Sequence, residues 1–158
     1  MPDKSVFSNA LIGLLAIAAI ATAVSSLEQT RSGVAIETTL VGSTPTTVFS
    51  PKGAERPAEN PVVLIAHGFS GSQQLMQPFA LTLAHNGYTA ITFDFPGHGR
   101  HPSPMRGGLT DQEASLKTLL ANMQEMGRFA SRRAGPSGAY AVLGHSMASD
   151  IIVRHAQS

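Results

Sequence analysis

Three short, mostly apolar runs constrain this chain more than any other feature, because each is closed by a glycine-bearing turn and followed by a helix-like stretch. They are Val62–Ala66 (VVLIA), Tyr88–Phe93 (YTAITF) and Ala139–Leu143 (AYAVL). Such runs suit strands buried on both faces, as in a parallel sheet covered by helices. The intervening stretches read as helices. Pro78–His85 has proline in its first turn and Asn86-Gly87 at its end. Thr110-Asp111-Gln112-Glu113 has the capping-box pattern, with Thr110 as the cap. It opens a helix with Leu116, Leu119, Leu120 and Met123 on one stripe. Gly135–Gly138 breaks that pattern, and Met147–His155 reads as the third helix. Alternating strands and helices predict an α/β domain.

A hairpin precedes this unit. Val34–Val41 alternates apolar residues, Gly42-Ser43-Thr44-Pro45 reads as a turn, and Thr46–Ser50 as a second strand at a sheet edge. Pro51–Pro61 and Pro96–Gly108 read as loops. The domain is therefore expected over residues 34–158, after a polar linker at 25–33.

Residues 1–24 stand apart. No charge occurs from Ser5 to Leu27, and Ala10–Val24 reads ALIGLLAIAAIATAV. Apolar residues lie on all sides of such a helix, which rules against an amphipathic surface helix. A signal peptide fits the length of the apolar core and the small residues Ala21-Thr22-Ala23. An uncleaved transmembrane anchor fits the uncharged span. A buried core helix is the third reading. Membrane contact through residues 10–24, and a domain outside the cytoplasm, whether anchored or secreted, are the expectations.

The chemistry converges on one serine. Gly144-His145-Ser146-Met147-Ala148 falls where a strand turns into a helix, the context that gives a G-x-S-x-G-like motif meaning. A sharp turn there pushes the hydroxyl out, and the helix start directs backbone N–H groups at developing negative charge. Small flanking residues let strand and helix pass closely. Gly144 meets that need, and Ala148 replaces the usual second glycine. The plainer alternative is an ordinary serine capping a helix.

His67-Gly68-Phe69 follows the first buried strand, and Asp94-Phe95-Pro96-Gly97-His98-Gly99 follows the second. With the serine motif in that order, the chain resembles the α/β-hydrolase superfamily from about Val34 to Ser158. It is most similar to the esterase, monoglyceride-lipase and serine-aminopeptidase-like members. The resemblance implies Ser146 as nucleophile, with the backbone N–H groups of Phe69 and Met147 as the oxyanion hole. It gives His67 and Gly68 the shaping of the first loop, and Asp94, Gly97 and Gly99 a structural role. His145 would line the pocket or simply pack. A small-molecule acyl substrate is implied, and no cofactor.

In this fold the triad runs Ser, then Asp or Glu, then His. Asp150 and His155 have that order. On a helix, however, His155 would lie about 13 Å along the axis from Ser146, and a base must reach to about 3 Å. The acid and histidine are expected beyond Ser158, so the 158 residues alone are expected to be an inactive portion of the enzyme. The rival expectation is a truncated, non-catalytic, membrane-tethered remnant.

Other functions are disfavoured. A net charge of +1 without basic runs gives no field for nucleic acid. The chain lacks cysteine, so thiolate chemistry is absent. His98 and His101 are too few for a zinc site, and no metal is expected. Gly97-His98-Gly99 opens no helix and lacks a third glycine, so it is no dinucleotide fingerprint.

Overall fold

The computed structural model describes residues 4–53, 60–108 and 110–157. Part of the expected loop 51–61 lies outside the described residues. Two compact units divide between Ser32 and Gly33. The first is one helix, α1 (Lys4–Arg31). The polar stretch 25–33, expected as a linker, instead continues this helix as far as Arg31. The reason is local: neither proline nor glycine interrupts the sequence between Gly13 and Gly33, and Thr30 Oγ1 donates back to Leu27 O at 2.7 Å. Every side chain from Ser8 to Arg31 is exposed. Length and composition make Ser8–Arg31 a candidate membrane span.

The second unit is a five-stranded sheet with helices on both faces. Its strands are β1 (Val34–Val41), β2 (Thr44–Pro51), β3 (Val62–Ala66), β4 (Thr89–Phe93) and β5 (Tyr140–Gly144). Their spatial order is β1-β2-β4-β3-β5. The first two form an antiparallel hairpin, β2 runs antiparallel to β4, and β3 is parallel to both β4 and β5. The hairpin turn is shorter than the sequence implied. Val41 pairs with Thr44, leaving only Gly42 and Ser43 as the loop. Gly42 takes φ 58°, and Pro45 sits near the strand start, where proline is tolerated.

Helices α2 (Gln77–His85), α3 (Gln112–Arg133) and α4 (Met147–Ala156) complete the unit. The period of two along β3 sends alternate residues to opposite faces. Val62, Leu64 and Ala66 join Met123, Met126 and Ile151 from α3 and α4, while Val63 and Ile65 join Ala80 and Ala84 from α2. Fully burying a Leu or Ile contributes about 1.5–3 kcal/mol, which explains why a five-residue run suffices to define a strand here. The start of α3 differs by one residue from the capping-box expectation. Asp111 is the cap, its Oδ1 accepting from Ala114 N at 3.0 Å. Thr110 Oγ1 donates instead to Gly107 O at 3.2 Å.

Candidate active site

β5 delivers the chain to a turn that α4 closes. His145 N donates to Ala66 O at 3.1 Å, carrying the β3–β5 pairing past the strand end. Ser146 then takes φ 54° and ψ −118°. Only two non-glycine residues among those described have positive φ, Ser146 and Ser70. Such a conformation costs on the order of 1–3 kcal/mol and persists only where the surroundings enforce it. The enforcing contacts are Ala148 N to His145 O at 3.1 Å and Ser149 N to Ser146 O at 2.8 Å. The side chain of Ser146 makes no capping hydrogen bond, so the ordinary helix-capping serine is not what this turn contains. Ser146 is exposed at the turn.

The small flanking residues have specific reasons. A Cβ on Gly144 would lie 2.7 Å from Ala148 O, a backbone atom that cannot give way. Ala148 is fully buried, and its single methyl fits the space. The first loop approaches closely too. A Cβ on Gly68 would lie 3.0 Å from Ser146 Cβ and 3.0 Å from His145 Nδ1. Gly68 thus brings the backbone leading to Phe69 alongside the serine, and Ser70, at φ 54°, turns that loop away again.

Beneath these loops lies a buried polar scaffold. His67 is fully buried. Phe95 N donates to its Nε2 at 3.1 Å, which leaves the proton on Nδ1, 2.8 Å from Gly68 O. One imidazole therefore ties the ends of β3 and β4 together. Burial pushes its pKa below the ordinary value, against the raising effect of the Gly68 carbonyl. Asp94 is equally buried. Its Oδ1 accepts from Gln73 N at 2.7 Å, and its Oδ2 from Gln73 Nε2 and Arg100 N, both at 3.1 Å. Gln73 Oε1 accepts in turn from Thr47 Oγ1 at 2.8 Å. A Cβ on Gly99, at φ 54°, would strike the Asp94 carboxylate, and one on Gly97, at φ 77°, would meet Met105.

His98 Nδ1 is 3.0 Å from Pro96 O, and its ring packs edge-on against Phe69 at 5.7 Å. Asp150 pairs with Arg154 at 2.8 Å, and His155 Nε2 is 2.8 Å from Tyr140 Oη. Both are thereby held in contacts of α4 and its surroundings. No cluster of three metal-ligating side chains occurs among the described residues.

Phe69 and Met147 line one cavity of about 500 Å³, together with Met105, Leu116, Leu119 and Ile151. The structure thus brings Ser146, Gly68, His145, Phe69 and Met147 together. Ser146, Gly68 and His145 lie outside the cavity lining, as do His67, Asp94, Gly97 and Gly99. Gln73 and the cavity wall formed by Met105 and Leu116 were not anticipated. Gln73 lies 21 positions from Asp94 in a stretch without a motif. The wall depends on how α3 and α4 meet, which no local pattern records.

The profile of a family described as serine aminopeptidase, S33, matches residues 57–158. No curated protein sequence matches the chain. Among solved structures, a thioesterase domain from the curacin biosynthetic pathway is 26% identical with a TM-score of 0.55, over 78% of this chain and 39% of its own. An epoxide hydrolase from an endophytic Streptomyces is 21% identical with a TM-score of 0.53, over 80% and 34%. A membrane phospholipase A, described as a bacterial virulence factor, is 23% identical with a TM-score of 0.51, over 96% and 47%. The chain spans less than half the length of each of these three structures.

Proposed function

This chain belongs to the serine aminopeptidase S33 family of α/β-hydrolases, and from that premise we propose that Ser146 is the nucleophile of a serine hydrolase cleaving an ester, thioester or amide bond. The observation that carries the reading is the strained, uncapped conformation of Ser146 at the start of α4. A residue that only capped a helix would have no need of it.

In the proposed reaction Ser146 Oγ attacks the carbonyl carbon while its proton passes to a general base. The carbonyl oxygen becomes an oxyanion, held by the backbone N–H groups of Phe69 and Met147. Collapse breaks the bond to the leaving group, which takes the proton from the base. Water then attacks the acyl-enzyme by the same route and releases the acid. Four histidines are already hydrogen-bonded elsewhere: His67, His98, His101 and His155. His85 and His145 are the other two, and the order proposed for the triad is the one this fold uses, with the acid and then the histidine after the nucleophile in sequence. The length and composition of the N-terminal helix support a membrane anchor or signal, and the proposal puts the hydrolase unit outside the cytoplasm.

Hydrolysis of p-nitrophenyl acetate by the whole protein, and its loss in Ser146→Ala, tests the assignment. The loss should reach at least about a thousandfold in kcat, as for other serine nucleophiles. A folded Ser146→Ala protein with undiminished turnover would falsify it.

A further inference from the structure

We propose that the side of the hydrolase unit formed by α2 and the outer strand β1 rests on the surface of a lipid bilayer. The proposal takes α1 as an uncleaved anchor and adds a second, peripheral contact made by the folded unit itself.

The two sides of the sheet differ in charge. The period of two along β1 sends its residues to opposite sides. Val34 packs with Ala80 and Ala84 of α2, so Ile36 and Leu40 face the α2 side as well. Glu37 faces the other way and pairs with Arg133 of α3 at 2.9 Å. On that other side α3 carries Glu113, Lys117, Glu125, Arg128, Arg132 and Arg133, and α4 adds Asp150 and Arg154. By contrast, α2 carries no Asp, Glu, Lys or Arg, and none occurs from Asn60 to Phe93. Large apolar side chains are exposed there instead. Leu75 lies in the 3-10 turn Gln73–Met76 that leads into α2, and Phe79 in the first turn of α2. Ile36, Leu40, Leu75 and Phe79 are 43%, 67%, 66% and 50% exposed. Side chains of this kind bury into the boundary between lipid headgroups and acyl chains.

The chain itself supplies the reason that a bilayer, and not a soluble partner, covers this side. Val34, at the start of β1, packs under α2. It is the sixth residue after Glu28, the first charge beyond the apolar span of α1. Six residues reach at most about 20 Å. With α1 in the bilayer, the membrane surface is therefore held within that distance of the edge of this side. A tether so short gives an effective concentration on the order of millimolar. Lys52 is exposed at the same attachment point, its backbone N donating to Gly33 O at 2.8 Å. Its ammonium is available to lipid phosphates, as for other interfacial lysines.

The test uses the full-length protein reconstituted in phosphatidylcholine vesicles, with and without brominated acyl chains. The 158 residues contain no tryptophan, so each tryptophan introduced adds its own emission to that of the parent protein. Leu40→Trp and Phe79→Trp should each lose at least about half of the added emission in brominated vesicles, as side chains about 5–10 Å into the boundary would. Lys117→Trp, on the α3 side, should lose none. Adding Phe79→Asp to Leu40→Trp should restore most of the lost emission. Carbonate extraction tests the anchor separately, because a spanning α1 keeps the protein with the vesicles. Retained protein whose Leu40→Trp and Phe79→Trp emission is unquenched overturns the proposal and leaves the anchor standing. Emission that is shifted to the blue yet unquenched also overturns it, and shows that a second copy or another segment of the protein covers this side. Equal quenching of Lys117→Trp overturns it too, since the contact would then not belong to the α2 side. Release by carbonate rejects the anchor, and the proposal with it.

Discussion

Ser146 sits in a backbone region that glycine enters freely and other residues enter at a cost. Its φ of 54° and ψ of −118° are imposed by β5 and α4, so the strain belongs to the position and not to the hydroxyl. Two substitutions separate the two. Ser146→Ala removes the hydroxyl and keeps the strain, while Ser146→Gly removes both. In urea unfolding, Ser146→Gly should be more stable than Ser146→Ala by about 1 kcal/mol, even though glycine usually destabilises. Equal stabilities would mean that the turn carries no strain. Gly68 and Gly144 make a second contrast. Gly144→Ala places a methyl 2.7 Å from a backbone oxygen, and overpacking of this kind should cost about 1–3 kcal/mol. In Gly68→Ala the contacts are less severe: the nearest atoms are His145 Nδ1 and Ser146 Cβ at 3.0 Å and the backbone oxygen of His145 at 3.1 Å. Its main effect should be a fall in kcat with little change in the unfolding midpoint.

The elements differ in how openly the sequence declares them. β3 and β4 were legible because continuous apolar runs arise where both faces are covered, and both strands are buried throughout. Helix starts were less legible. Thr110 and Asp111 are adjacent and either can cap, so the choice falls to tertiary contacts, and Gly107 O takes the Thr110 hydroxyl. The same local ambiguity hid the extent of α1, since a polar composition at 25–31 is compatible with either linker or helix. Around the serine, the elbow and the loop glycines were legible because their backbone demands leave a glycine or small-residue signature. The Gln73–Asp94 network and the cavity wall where α3 and α4 meet leave none. At α3 the distinction is measurable. Asp111→Ala should cost about 1 kcal/mol of stability by removing the bond to Ala114 N, and Thr110→Ala should cost less than half of that. The reverse order would restore Thr110 as the cap.

For the molecule as a whole, one buried and two partly buried histidines couple stability to pH. His67, His101 and His155 are all held below the ordinary imidazole value of 6.5, in each case first by burial. The sign follows directly. Below about pH 6.5 the unfolded chain binds protons that these folded imidazoles resist, so ΔG of unfolding falls as pH falls. The contribution is full above about pH 6.5 and declines towards each lowered folded pKa. His67 should dominate, because it alone is fully buried and its neutral Nε2 accepts from Phe95 N. Protonation there would break that bond and place a charge in the core between β3 and β4. Denaturant midpoints measured from pH 8 to pH 5 should therefore be flat above about pH 7 and drop below about 6.5. His67→Gln keeps a polar side chain without a titrating group. It should be less stable at pH 8 by about 1–3 kcal/mol, the cost of an impaired buried hydrogen bond, and its midpoint should fall less steeply between pH 6.5 and 5. Parallel pH profiles for the two proteins would show that the acid sensitivity arises elsewhere and that the imidazole bridging the two strand ends titrates without consequence for the fold.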